Sequence, residues 1–206
     1  PNYTARSLRS QRSRTIGYSW SPAPAGQTNP ILDQFLQSMF KTAEADGYYL
    51  LCFPFHDDHD LQLEAYSELI DTGRVDGFIL SSIEYNDPRV SFLLEREFPF
   101  VGFGRSNDDL VFPYIDVDGG QGLYQAVLHL AQQGRRKIAA LAWPEDSRVG
   151  NNRMNGYYRG MADAGLTVDP HMILRGQGNF DFGFAATESL LHLPVNKQPD
   201  ALVALN

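Results

Sequence analysis

The chain has 206 residues, a formal net charge of −8, 43% hydrophobic and 12% aromatic residues, and a single cysteine. That is enough apolar side chain to core one large domain or two small lobes, and it excludes an intrachain disulfide. No run approaches the roughly eighteen apolar residues of a membrane span, and the arginine-rich start lacks the apolar stretch of a secretory signal; a cytoplasmic, reducing compartment is the expectation.

Charge is unevenly spread. Arg6, Arg9, Arg12 and Arg14 come with no acid among or before them, so the first fourteen residues carry about +4 and leave about −12 for the remainder. Such asymmetry reads either as a solvated arm or as a nucleic-acid contact at one end of the molecule. Pro1 can open a helix, Asn2 or Thr4 can cap it, and Ala5, Arg6 and Leu8 are good helix formers. A helix this short is stable only when something packs against it, and DNA is one candidate.

Beyond this segment, β-rich runs alternate with helical patterns. Residues 15–20 read as a strand, 30–45 as a helix with Ile31, Phe35, Met39 and Ala43 on one face, and 48–53 as a second strand after the stop at Gly47. A helix over 61–71, a strand over 77–81, a helix near 90–96 and a strand over 100–103 follow. After Tyr114 to Val117 the rhythm restarts: helix 119–133, strand 137–142, helix 151–164, strand 172–174, helix 182–191, strand 201–205. This alternation implies parallel strands with crossover helices, an α/β fold of two doubly wound lobes, residues 15–117 and 118–206, after a linker over 1–14. A last strand with no helix after it implies that the second lobe continues beyond Asn206. Ligands of such sheets sit beyond the carboxyl ends of the strands. That rule marks Trp20 and Ser21, Ile31 and Leu32 at the start of the facing helix, Ser81, and Arg105 as candidate ligand-binding residues.

Several tempting readings fail. The turn after the first strand, Ser19 to Gly26, carries prolines where a nucleotide-binding turn needs glycines, and neither a Ser/His/Asp set nor a phosphate loop is present, so an enzyme is not expected. His56 Asp57 Asp58 His59 Asp60 resembles a metal cluster, but adjacent residues on one loop rarely converge on one ion; one of the aspartates is expected to cap the following helix, and neither metal nor cofactor is expected. Asp118 sits where an N-cap belongs, and Cys52 reads as a buried small hydrophobe.

Taken in order, Ala5 Arg6 Ser7 Leu8, Ile16 Gly17, Asn29 Pro30, Val75 Asp76 Gly77 Phe78 Ile79, Pro99 Phe100 Val101, Gly104 Arg105, His129 Leu130, Gly134 to Ala139, Arg153 with Gly156 Tyr157, and Pro199 to Asn206 resemble the LacI/GalR family of bacterial transcription regulators. The resemblance covers essentially the whole chain. Departures are Arg135 where the family commonly has histidine, and Arg105 after Gly104 where some members place an aspartate.

The resemblance implies a periplasmic-binding-protein-like type I fold, a helix-turn-helix headpiece upstream of Pro1, a homodimer, operator DNA as partner, and a small-molecule effector, a sugar, in the cleft between the lobes. It implies that Asn2 to Leu8 form a hinge helix on DNA, with Asn2, Ala5 and Arg6 at the duplex and Leu8 wedged into the minor groove. It also implies ligand contacts from Arg153, whose planar fork can hold paired hydroxyls, from Asn206, and from Phe180 as a stacking aromatic. A solute-binding protein of a sugar transporter shares the body of this fold and is the alternative; the sequence upstream of Pro1 discriminates.

Overall fold

The computed structural model of the chain describes residues 12–21 and 30–205. The chain divides into two compact units, Pro1–Asp116 and Val117–Asn206. Both are α/β with parallel sheets.

Unit 1 contains β1 (Thr15–Trp20), α1 (Pro30–Ala45), β2 (Tyr49–Pro54), α2 (His59–Asp71), β3 (Gly77–Leu80), α3 (Pro88–Glu95), β4 (Phe100–Phe103) and β5 (Tyr114–Ile115). Its five-stranded sheet has the order β2-β1-β3-β4-β5, every neighbouring pair parallel. The order reverses at β1, so the tips of β1 and β3 flank the switch point where ligands of doubly wound sheets bind. One side of the sheet is cored by aromatic rings: Tyr66 and Phe78 lie 4.5 Å apart, with Phe53 and Phe98 beside them. Gly17 lies flat beneath Phe78, where an added Cβ would come within 2.5 Å of the ring.

The opposite side is thinly covered. Of α1 only Ala43 is fully buried, and Ile31 is 80% exposed. Cys52, expected inside, is exposed, on the strand that forms the sheet edge among the described residues. Asp58 caps α2, accepting from the backbone N–H groups of Asp60 and Leu61. Asp87 caps α3, which starts two residues before the apolar pattern because Pro88 suits its first turn.

Unit 2 contains α4 (Gly119–Gln132), β6 (Ile138–Ala142), α5 (Arg148–Asp163), β7 (Ile173–Arg175), α6 (Phe180–Leu191) and β8 (Ala201–Ala204), with a parallel sheet of order β7-β6-β8. Asp118 caps α4 by accepting from Gln121 N, and Gly134 ends it at φ +83°, a conformation glycine adopts at no steric cost. Ser147 and Asn179 cap α5 and α6, placing both helix starts earlier than their hydrophobic periodicity suggests. Against β6, with Ala139, Ala140 and Ala142 buried, α4 and α5 approach so closely that an added Cβ on Gly156 would lie 1.8 Å from the Gly120 carbonyl oxygen.

Candidate ligand-binding site

In unit 1 a pocket of about 160 Å³ opens at the tips of β1 and β3, lined by Tyr18, Ser19, Trp20, Ser21, Leu32, Phe55, Asp57, Ser81 and Ser82. It brings together four of the residues singled out in the sequence: Trp20, Ser21, Leu32 and Ser81. The lining combines serine hydroxyls, which donate and accept, with the Asp57 carboxylate, which accepts, beside the Trp20 and Phe55 rings. Two hydroxyls are held from beneath. Ser81 Oγ pairs with Tyr18 Oη at 2.9 Å, and Ser19 Oγ with Tyr66 Oη at 2.9 Å. Burial raises the Tyr18 pKa, with the Ser81 bond opposing the shift, and burial likewise raises that of Tyr66; both phenols stay protonated at neutral pH. Trp20 Nε1 is buried and has no hydrogen-bond partner among the described residues.

The remaining unit 1 candidates lie elsewhere. Ile31 points outward on α1 and does not line the pocket. Arg105 Nε donates to Asp116 Oδ2 at 2.7 Å and its guanidinium sits 5.6 Å from the Tyr114 ring centre, also off the pocket lining. The Asp116 hydrogen bond raises the Arg105 pKa above its ordinary value against the desolvation that opposes it.

In unit 2 the strand tips carry long cationic side chains. The Arg153 guanidinium lies 5.0 Å from the Trp143 ring centre, donates through Nη1 to the Leu205 carbonyl, and has its stem against Gly119, where an added Cβ would come within 2.9 Å. Arg175, at the end of β7, donates through Nη1 to the Trp143 carbonyl at 2.9 Å and to Asn151 Oδ1 at 3.4 Å. Phe180 opens α6 with its ring 81% exposed and stacked on Phe184 at 6.1 Å. Asn206 and the hinge residues Asn2, Ala5, Arg6 and Leu8 lie outside the described residues. Among the described residues, no three or more His, Cys, Asp or Glu side chains come together as a metal site, and no helix is long and apolar enough to cross a membrane.

Residues 24–206 match the family described as periplasmic binding proteins and sugar binding domain of LacI family. The chain belongs to this family. A regulatory protein of the LacI family from Chloroflexus aggregans superposes with a TM-score of 0.89 at 53% identity, covering 94% of this chain and 69% of that one. The transcriptional repressor PurR of Erwinia tasmaniensis is 27% identical over 194 residues, 93% of this chain and 55% of the relative. The transcriptional regulator AglR of Rhizobium meliloti is 28% identical over 197 residues, 94% of this chain and 54% of the relative. The chain therefore spans about half the length of the curated relatives it matches.

Within this LacI-family chain, sequence reasoning singled out neither Phe55, Asp57 and Ser82 in unit 1 nor Trp143 and Arg175 in unit 2. The strand-end rule marks the loops holding Phe55, Asp57, Ser82 and Trp143 without choosing among their residues. Arg175 falls outside the expected strand, because β7 runs one residue further than its apolar pattern. A cation directly after two β-branched or aliphatic residues and before Gly176 was the available signal.

Proposed function

We propose that this chain is the effector-binding part of a ligand-responsive transcriptional regulator, with a sugar as effector. The observation that carries the reading is a pocket at the tips of β1 and β3 lined by serine hydroxyls and a carboxylate, with the Trp20 and Phe55 rings beside them. An alternation of apolar ring face and hydroxyl partners is the chemistry a pyranose presents, apolar on one side and ringed by groups that both donate and accept. On this reading Trp20, Ser21, Leu32 and Ser81 are the ligand-binding residues of unit 1, and Arg153 and Phe180 are those of unit 2, Arg153 through paired hydrogen bonds and Phe180 by stacking. The similarity to a LacI-family regulatory protein at 53% identity supports a regulatory output over a transport one.

Residues 1–14 then link the binding units, 15–117 and 118–206, to a DNA-binding headpiece. Asn2, Ala5, Arg6 and Leu8 contact the operator, and the regulator works as a cytoplasmic homodimer. Effector and operator each bias the same equilibrium, so each changes the other's affinity by the same factor.

The test is binding of the full-length protein to duplex DNA from its own promoter region across a salt series, with and without a panel of sugars and nucleosides. Sequence-specific binding shifted by one sugar is the expected result. Ser81→Ala, which removes one hydroxyl from the pocket lining, then lowers the affinity for that sugar about tenfold. Tight sugar binding with no specific DNA binding would replace this reading with a solute-binding protein.

A further inference from the structure

Beneath the unit 1 pocket lies a buried ion pair that lines no part of the pocket. Arg89 and Asp87 are 3% and 6% exposed, and their side chains meet at 2.6 Å. Asp87 Oδ1 already caps α3 by accepting from the Arg89 backbone N–H at 3.0 Å, and it accepts from Arg89 Nε at the same distance. Left to itself, burial would lower the Arg89 pKa; hydrogen bonding and charge from Asp87 more than reverse this, so the guanidinium is fixed as a cation.

What that cation touches is informative. Arg89 Nη2 donates to the Ser81 carbonyl at 3.1 Å and to the Ser82 carbonyl at 3.2 Å, and the guanidinium carbon lies 5.2 Å from the centre of the Phe55 ring. Ser81, Ser82 and Phe55 all line the pocket, and they come from two different loops. Ser82 also has φ +52°, a left-handed backbone that costs a non-glycine residue about 1 kcal/mol or more and persists only where surrounding contacts over-determine it. Further along, the same loop is tied to the segment after β4: Asn86 N donates to Asn107 Oδ1 at 2.9 Å, Asn107 Nδ2 donates back to Asn86 Oδ1 at 2.7 Å, and Ser106 Oγ donates to the Glu84 carbonyl at 2.9 Å. The far half of the loop is thus latched by uncharged side chains, and the near half, which carries the pocket, is latched by Arg89.

We propose that Arg89 is the positioning residue of the effector site: Nη2, fixed by the two-point contact of the guanidinium with Asp87, holds both carbonyls of the Ser81–Ser82 turn that presents the Ser81 hydroxyl to the pocket, while the guanidinium face supports Phe55. The inference rests on the reading of this pocket as a sugar site. A lysine cannot substitute, since Arg89 Nε also donates to Asp87 Oδ1 while Nη2 serves Asp87 Oδ2 and both carbonyls, and a lone ammonium has neither that second anchor nor a planar face for Phe55. Asp87 acts through Arg89, setting the fork's orientation and neutralising it, so that the pair adds rigidity without adding net charge beneath the ligand.

The experiment uses the full-length protein, with Arg89→Lys and the double substitution Asp87→Asn with Arg89→Met. The double variant removes the charge pair together and so avoids stranding one buried ion. Amide hydrogen exchange across residues 81–87 is read without any ligand, and maltose and cellobiose are titrated as probes. The expected result is exchange at least tenfold faster across 81–87 in both variants, with α2, α3 and β4 within twofold of the parent, and a tenfold or larger loss of affinity for whichever probe the parent binds. Unchanged exchange across 81–87 in the double variant, or equal acceleration throughout unit 1, overturns the proposal in favour of a purely structural pair. If the parent binds neither probe, the reading of the pocket as a site for these disaccharides is what fails, and the exchange measurement still decides the role of Arg89.

Discussion

The two units reach the same α/β layering by opposite packing. Unit 1 fills the space between sheet and helices with rings, Tyr66, Phe78, Phe53 and Phe98, each in contact with another. Unit 2 removes the space instead: its central strand is largely alanine, and Gly120, Gly156 and Gly160 let α4 and α5 meet nearly backbone to backbone. A side-chain core can adjust by rotating rings, whereas a backbone contact has no rotamers to offer. The strand tips follow the same division. Unit 1 presents short hydroxyls wired from below, and unit 2 presents arginines on long stems.

The hardest way to break this comparison is Gly156→Ala. The new methyl group would fall 1.8 Å from the Gly120 carbonyl oxygen, so the helices themselves must separate. The expected cost is about 3 kcal/mol or more, read as a lower urea midpoint, with no single side-chain truncation restoring it. The matching change in unit 1 is Gly17→Ala, whose methyl meets ring atoms of Phe78 at 2.5 Å. Here the obstacle is a side chain. Gly17→Ala is expected to cost about 2 kcal/mol, and Phe78→Leu, destabilising alone, should recover about 1 kcal/mol of it in the double variant. A fully additive double-mutant cycle would show that unit 1 is as rigid at this point as unit 2, and the contrast would fall.

The same contrast explains what could be read in the sequence. Strand and helix alternation was legible throughout, because each element had to bury one face; Asp118 caps α4 as expected, and of the aspartates at 57, 58 and 60, among which the sequence did not choose, Asp58 caps α2. The start of α6 at Phe180 was hidden, since the first turn of that helix is exposed and carries no core periodicity. Cys52 was misread because composition around a strand does not reveal whether the strand is an edge. In unit 1, Trp20, Ser21 and Ser81 could be marked as strand-tip residues, because the ends of the strands are readable from their apolar pattern and ligands of such sheets sit beyond those ends. Arg89 could not. On sequence grounds it falls just before the helix expected near 90–96, and only the fold shows its guanidinium turned inward under the carbonyls of Ser81 and Ser82. The chemistry that holds a site thus lies further along the chain than the chemistry that forms it.

The gentlest probe of unit 2 is Tyr157, which is fully buried against the small-residue core and donates from Oη to the Ile138 carbonyl at 2.7 Å. Burial, with smaller contributions from Tyr158 and Asp169, pushes its pKa up to about 12. An unfolded tyrosine loses its proton near pH 10, so between about pH 10 and pH 12 the unfolded chain releases a proton that the folded chain keeps. The stabilisation is complete below that window and declines through it by about 1.4 kcal/mol per pH unit as the pH rises. Tyr157→Phe keeps the ring and gives up one hydrogen bond, a loss of about 1 kcal/mol at neutral pH, and it should flatten the alkaline decline by one proton's worth. Urea titrations of parent and variant at neutral pH and at two points inside the window measure both effects. An undiminished alkaline slope in the variant would assign the decline to other tyrosines, Tyr18 and Tyr66 of unit 1 first among them, because burial raises those phenols too.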